Sequence, residues 1–204
     1  MKFRSTAIAA VLSLIPVGQT LIVGTGAALT STAVMLSVPE KAHAQSARFY
    51  FDRGFDKNQS GDYFGAISDY TKAIEIDPRY VNAYINRGMI KDIQFNDYSG
   101  AISDYTKAIE INPRSAHAFL ERGASKLGLE DYDGAISDST RAINLDALDP
   151  RVYVAFMNRG IAKSSLNDHS GAISDFNKAI AINRRYELAY SNRGLTKIDL
   201  EDYS

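Results

Sequence analysis

The stretch from Tyr84 to Pro113, YINRGMIKDIQFNDYSGAISDYTKAIEINP, contains the two signatures that decide the fold. The first signature, Arg-Gly-x-x-Lys, occurs five times along the chain, with its glycine at Gly54, Gly88, Gly123, Gly160 and Gly194. The second signature, Gly-Ala-Ile-Ser-Asp, occurs four times and begins at Gly65, Gly100, Gly134 and Gly171. Because both recur every 34 to 37 residues, the sequence predicts a stack of small similar units.

Each unit is predicted to be a pair of helices. In the unit that contains this stretch, residues 81–93 have the apolar spacing of a first helix, and residues 96–100 have the composition of a turn. Asp97 is placed to cap the second helix, whose apolar stripe runs to Ile111. Asn112-Pro113 then ends it, because the residue before a proline is displaced from the helical region. We expect Gly88 to lie where the two helices cross most closely.

The units resemble the tetratricopeptide repeat family. That family's pattern combines an aromatic residue, a large residue followed by glycine, Ala-x-x-x-aromatic and a closing proline. The first two units match it with Tyr50-Arg53-Gly54-Ala66-Tyr70-Pro78 and Tyr84-Arg87-Gly88-Ala101-Tyr105-Pro113. The third and fourth units follow with Phe119-Arg122-Gly123-Ala135-Ser139-Pro150 and Phe156-Arg159-Gly160-Ala172-Phe176-Arg184, and a half unit contains Tyr190-Arg193-Gly194. The resemblance implies an all-α, right-handed superhelical solenoid of antiparallel helix pairs over residues 45–204, with four full repeats and a half repeat.

The third unit departs from this pattern. Ser139 replaces an aromatic residue, and three extra residues around Ala147 precede Pro150. Arg184 takes the place of the closing proline in the fourth unit. These departures predict a weak junction, a hinge or an altered superhelical step, between the third and fourth units.

The N-terminal segment, residues 1–44, has the pattern of a secretory signal peptide. Lys2 and Arg4 precede an uncharged run to Val38, which Pro39 is expected to end, and cleavage is predicted between Ala44 and Gln45. The repeats would then lie outside the cytoplasm, in a periplasm, a thylakoid lumen or the extracellular space. The alternative is an uncleaved membrane anchor over residues 21–38, whose 18 uncharged residues are near the lower limit for a spanning helix.

The composition argues against several classes of function. Removing residues 1–44 takes away three basic residues and one acidic residue, so the formal net charge changes from −1 to −3, and no basic block suggests a nucleic-acid partner. The chain has no cysteine, and its three histidines form no recognisable metal site, so no cofactor or metal is expected.

The recurring arginines of the first helices and aspartates of the second helices are interpreted as a ladder of ion pairs. Each lysine three residues after a repeat glycine is expected to keep its ammonium in water. A catalytic site needs one unique constellation, so the protein is predicted not to be an enzyme.

The resemblance also implies a binding surface. In this family, the first helices line the concave face, and the positions three residues before and one residue after each glycine point inward. Most of these positions are apolar here, and asparagines and a histidine flank them, which suits an extended or helical peptide with apolar anchors. The candidate partner-binding residues are Phe51, Phe55, Asn82, Ile85, Asn86, Met89, His117, Leu120, Met157, Asn158, Ile161 and Leu195.

Two functions therefore remain open. The first is a scaffold that binds a protein or peptide in this groove. The second is a structural protein that associates with itself, as a homodimer, through the last helix, where Tyr190 and Ile198 would face a missing neighbour. A direct membrane contact is expected only if the N-terminal segment is retained.

Overall fold

A computed structural model of the protein describes residues 32–202, which form α-helices joined by short turns. Each helix packs mainly on its neighbours in the chain, so that α1–α2, α3–α4, α5–α6 and α7–α8 are the first to fourth repeats, and α9 packs on α8. The predicted all-helical repeat solenoid is confirmed. The helices are α1 Thr32–Gln59, α2 Tyr63–Ile76, α3 Val81–Phe95, α4 Tyr98–Ile111, α5 Ala116–Gly128, α6 Tyr132–Leu145, α7 Val152–Ser165, α8 His169–Ile182 and α9 Glu187–Asp202.

The prediction that Pro39 ends a helix is wrong. Helix α1 has 28 residues and continues through Pro39 and through the predicted cleavage position after Ala44. A proline inside a helix removes one main-chain donor and costs about 3 kcal/mol, and the helix continues past it nonetheless. The positive head and most of the uncharged run lie outside the described residues. Among the helices that are described, none is both long and apolar enough to cross a bilayer.

The second helix of every repeat begins with the same cap, as the sequence predicts. An aspartate side chain accepts a hydrogen bond of 2.9–3.0 Å from the backbone N–H of the glycine three residues later. A Cβ atom at that glycine would collide with the capping carboxylate, which explains why glycine opens the Gly-Ala-Ile-Ser-Asp signature. The capping residues are Asp62, Asp97, Asp131 and Asp168.

The repeat glycines allow the two helices of a unit to approach closely. A Cβ atom added to Gly88 would lie 2.8 Å from Cε1 of Tyr105, and one added to Gly160 would lie 2.6 Å from the same atom of Phe176. Both aromatic side chains are fully buried. The crossing predicted at Gly88 is therefore confirmed, and the aromatic ring fills the space that the missing side chain leaves.

The predicted ladder of ion pairs holds the helix pairs together. In the second repeat, Nη2 and Nε of Arg87 donate to the two carboxylate oxygens of Asp104 over 2.6 and 3.0 Å. The ammonium of Lys91 lies 2.8 Å from the same carboxylate, and the lysine side chain stays 23% exposed. The same triplet recurs in the other full repeats as Arg53, Lys57 and Asp69; Arg122, Lys126 and Asp138; and Arg159, Lys163 and Asp175.

The ladder arginines of the second, third and fourth repeats also connect neighbouring repeats. Nη1 of Arg87 donates to the hydroxyl of Thr71 in the first repeat over 2.9 Å. Arg122 and Arg159 make the equivalent bonds to Thr106 and Thr140. One guanidinium therefore fixes both the helix pair and the stacking of that pair on the preceding repeat, which sets the spacing of the first helices.

Candidate functional site

The first helices of successive repeats, α3, α5, α7 and α9, contact one another in order. The residues directly after the repeat glycines hold the same position on α1 and on these four helices, and we call this set the first-helix face: Phe55, Met89, Ala124, Ile161 and Leu195. At its ends, the side chains of Phe55 and Leu195 are 46% and 60% exposed. Met89, Ala124 and Ile161 are half-buried between them. This set keeps the apolar contact positions that the sequence predicts one residue after each glycine.

The positions three residues before each repeat glycine were also predicted to face the groove, and for most of them this prediction is wrong. Ile85, Leu120 and Met157, each three residues before a glycine, are only 3%, 8% and 2% exposed. They belong to the core clusters that also contain an alanine of the following first helix, namely Ala118, Ala155 and Ala189 respectively. These small residues admit the larger side chain between the repeats, so the side chain packs inward and does not reach the groove.

The alanine that receives this side chain recurs in the sequence and indicates the burial, but it was not used in the prediction. Ala83, Ala118, Ala155 and Ala189 each stand five residues before a repeat glycine, and all are buried. At the first repeat, the corresponding larger side chain is Phe51. It is half-buried, with its ring centroid 4.9 Å from that of Tyr80 and 5.5 Å from that of Tyr70. Phe51 therefore supports the groove wall more than it offers a free contact.

The polar residues predicted to bind the partner differ in how far their side chains are exposed. Asn82 is exposed, and Asn86 and His117 are half-buried. Nε2 of His117 lies 3.2 Å from the carboxylate of Glu121, one helical turn further along α5. Asn158 is wrong as a contact residue because its side chain is only 8% exposed, and its amide nitrogen has no hydrogen-bond partner within the described part of the chain.

A polar contact between neighbouring first helices was not predicted. The hydroxyl of Ser125 on α5 donates to the carboxylate of Asp92 on α3. Ser164 on α7 and Thr196 on α9 make the equivalent contact over 3.0 Å. In both pairs, the first residue stands four positions after its repeat glycine and the second residue stands two positions after the next repeat glycine. An alignment of the units would have shown this pairing. Burial raises the pKa of Asp92, and the hydrogen bond from Ser125 offsets this only in part.

A small pocket lies where the third repeat meets the fourth. Its volume is about 20 Å³, and its lining includes the apolar side chains Leu120, Ala142 and Ala155 together with His117 and Arg151. The guanidinium of Arg151 is held 2.8 Å from Asp149, and that hydrogen bond holds the pKa of the Asp149 carboxyl below its usual range. A volume of this size has room for about one water molecule.

The described residues offer no other obvious chemistry. No group of three or more histidine, aspartate or glutamate side chains within residues 46–200 could hold a metal ion. The carboxylates of the ladder are already neutralised by arginine and lysine, and this holds the pKa of Asp69 below its usual value. Neutralised carboxylates of this kind stabilise a fold and are poor general bases.

Family comparisons agree with this architecture. A TPR repeat profile matches residues 57–90, and a tetratricopeptide repeat profile matches residues 81–115 and 153–186. Residues 57–115 and 153–186 thus match tetratricopeptide repeat models, as the sequence signatures indicate. No curated protein matches the sequence.

Several solved structures share the fold. The crystal structure of MamA protein is 27% identical, with a TM-score of 0.67, and the match covers 74% of this chain and 81% of that one. YrrB, described as a TPR protein with an unusual peptide-binding site, is 21% identical, with a TM-score of 0.66 and coverage of 83% and 84%. PilW, described as a widely conserved type IV pilus biogenesis factor, is 21% identical, with a TM-score of 0.69 and coverage of 76% and 70%.

Proposed function

We propose that the protein is a non-catalytic interaction scaffold whose concave groove, along the first-helix face, binds an extended or helical segment of another protein. The observation that carries this proposal is the set of apolar side chains after the repeat glycines, which are exposed at Phe55 and Leu195 and half-buried at Met89 and Ile161. Soluble proteins seldom leave such a set without a use. The peptide-binding site named for YrrB, which has the same fold, supports the proposal by analogy.

The chemistry of the groove fits a partner with spaced apolar anchors. A repeat places an equivalent apolar residue at regular intervals, so an extended segment or one helix face can contact several units in turn. Met89 gives the surface an adaptable side chain. Asn82 and Asn86 can donate to and accept from a peptide backbone without requiring a particular side chain.

The test is selection of binding peptides from a displayed random library on the immobilised full-length chain. A double variant, Phe55→Glu and Met89→Glu, places two charges in the groove and is expected to lose at least tenfold in affinity for the selected peptides. The matched control is Phe64→Glu, since Phe64 is an exposed aromatic residue of α2 outside the groove. Equal binding by the groove variant and the control would remove the groove from the proposal.

A second candidate function is self-association through α9. Outside its contact with α8, this helix exposes Leu188, Tyr190 and Ile198, and no described atom lies within 4 Å of a Cβ built on Gly194. Two such faces could pair in an isologous dimer. Light scattering after size exclusion should then give twice the chain mass. Tyr190→Lys should restore the monomer, whereas Leu148→Lys, in an exposed loop, should not. A monomeric wild-type chain at high concentration would exclude this candidate.

We further propose that residues 1–44 act as an export signal and that the mature chain begins at Gln45. The sequence pattern of a positive head, an uncharged run and a small-residue cleavage site supports this. N-terminal sequencing of the protein recovered from its native membrane and soluble fractions tests it. A new terminus at Gln45 agrees with cleavage, and an intact Met1 in the membrane fraction supports the anchor alternative.

A further inference from the structure

One acidic side chain near the first-helix face differs from the other buried acidic groups of the repeats. Asp69, Asp104, Asp138 and Asp175 are each bound by both an arginine and a lysine. Asp92, which is half-buried between α3 and α5, has only the neutral hydroxyl of Ser125, on its Oδ2 oxygen. Its Oδ1 oxygen has no hydrogen-bond partner within residues 46–200. A partly buried carboxylate without a counter-charge is costly to the fold.

The surroundings add negative charge instead of neutralising it. Glu121, on the neighbouring helix α5, is close enough to raise the pKa of Asp92 further, after the effect of burial. The two ladder cations on the same helix as Asp92, Arg87 and Lys91, are both bound to Asp104. Within the described part of the chain, Glu121 is paired only with His117, which carries a charge only when protonated.

A buried hydroxyl with an unused hydrogen-bonding capacity lies beside these carboxylates. Tyr105 is fully buried, and its hydroxyl has no hydrogen-bond partner within the described part of the chain. Burial, followed by the negative charges of Glu121, Asp92 and Asp104, raises the pKa of this phenol. The phenol is therefore neutral, and it supplies no charge that would offset the charge of Asp92.

We infer that the groove between α3 and α5 binds a basic side chain, lysine or arginine, of the partner segment, with Asp92 as its principal counter-charge and Glu121 as a second acceptor. The inference rests on the proposed peptide-binding function and specifies the chemistry of the peptide. An ammonium or guanidinium placed here would supply the cation that the other buried aspartates already have. Apolar anchors on Met89 and Ile161, on either side along the first-helix face, would flank it.

The experiment compares peptides selected from the same displayed library on three forms of the full-length chain. Peptides selected on the wild type should contain a lysine or arginine at one fixed position, and those selected on Asp92→Asn should not. Asp133→Asn removes the same charge from an exposed site on α6, and it should keep the basic position. Circular dichroism melts would confirm that both variants stay folded.

Affinities of one selected peptide then complete the test. Replacing its basic residue with citrulline or norleucine should weaken binding to the wild type about tenfold or more, since a charged hydrogen bond is lost. The same replacement should change binding to Asp92→Asn much less. Selected peptides without a basic position, or an equal loss on both proteins, would overturn the inference while leaving the groove proposal intact. Failure to select any peptide on the wild type would instead remove the proposed function and this inference with it.

Discussion

The second and third repeats share their helix caps and their ion pairs, yet they fill their centres differently. In the second repeat, the ring of Tyr105 occupies the space beside Gly88, whereas in the third repeat Ser139 stands beside Gly123. The Ser139 hydroxyl is buried and has no partner among the described residues. The ion pairs are the same in both units, so they cannot account for a difference in stability between the two repeats, and the packed ring is one feature that can.

The largest effect is expected when the ring is removed. Tyr105→Ala should lower the free energy of unfolding by about 3–5 kcal/mol, because it leaves a cavity at the closest crossing of α3 and α4. Ser139→Ala should raise it by up to about 1 kcal/mol, because it removes a buried hydroxyl that has no partner. Urea unfolding followed by circular dichroism measures both. Equal losses in the two variants would mean that Ser139 has a partner and that the third unit is not underpacked.

A smaller effect is expected from the glycines that face these residues. Gly88→Ala would put a Cβ atom 2.8 Å from the Tyr105 ring and should cost about 1–3 kcal/mol. Gly123→Ala meets only the Ser139 hydroxyl oxygen at 3.2 Å and Cβ of Asp138 at 3.4 Å. Its steric cost should nearly cancel the gain of about 1 kcal/mol in helix propensity.

The control for this pair is Gly194→Ala, where no described atom lies within 4 Å of the new Cβ. It should show the gain in helix propensity alone, about 1 kcal/mol of added stability in the same urea experiment. If Gly88→Ala were as well tolerated as Gly194→Ala, the close approach of Tyr105 would not be rigid.

The sequence predicted the fold and the ion pairs because both repeat with the unit. Asp97, Gly88 and Arg87 each have one role that depends on local spacing, so their positions in a single unit were enough. The candidate site was harder to predict, since it depends on how one unit sits on the next. Ile85 and Leu120 were assigned to the groove from a helical position alone, and the alanine of the following helix decides that they are buried. Asp92 escaped notice because its partner Ser125 lies 33 residues away.

A smaller difference between the second and third repeats is expected in the rate at which their backbone amides exchange. The segment 139–150 contains Ser139 and the inserted loop, in which Leu148 is almost fully exposed. Its backbone amides should exchange with deuterium faster than those of residues 105–115 in the second repeat. Mass spectrometry of peptides from both segments measures this. Equal protection would contradict the predicted weak junction between the third and fourth repeats.

The smallest expected change concerns Asp92, which the third repeat replaces with Leu127. Burial raises the folded-state pKa of Asp92 above its unfolded value, so its ionised form destabilises the fold at neutral pH. Asp92→Asn should therefore raise the melting temperature at pH 7, and this advantage should shrink as the pH falls through the raised pKa and the wild-type carboxyl becomes protonated.

Substitution of Asp175 should change the stability in the opposite direction. Burial alone would raise its pKa, but hydrogen bonds from Arg159 and Lys163 outweigh burial and lower it. Its stabilising contribution is present above the unfolded pKa of about 4 and is lost as the pH falls through the lower folded value. Asp175→Asn should lower the melting temperature at pH 7 and lose that effect in acid. Melting curves from pH 7 to pH 3 should show the melting temperatures of both variants converging on that of the wild type, Asp92→Asn from above and Asp175→Asn from below. If Asp92→Asn were destabilising at neutral pH, the carboxylate would already have a counter-charge within the chain, and a basic residue of a partner would have no vacant acceptor to occupy.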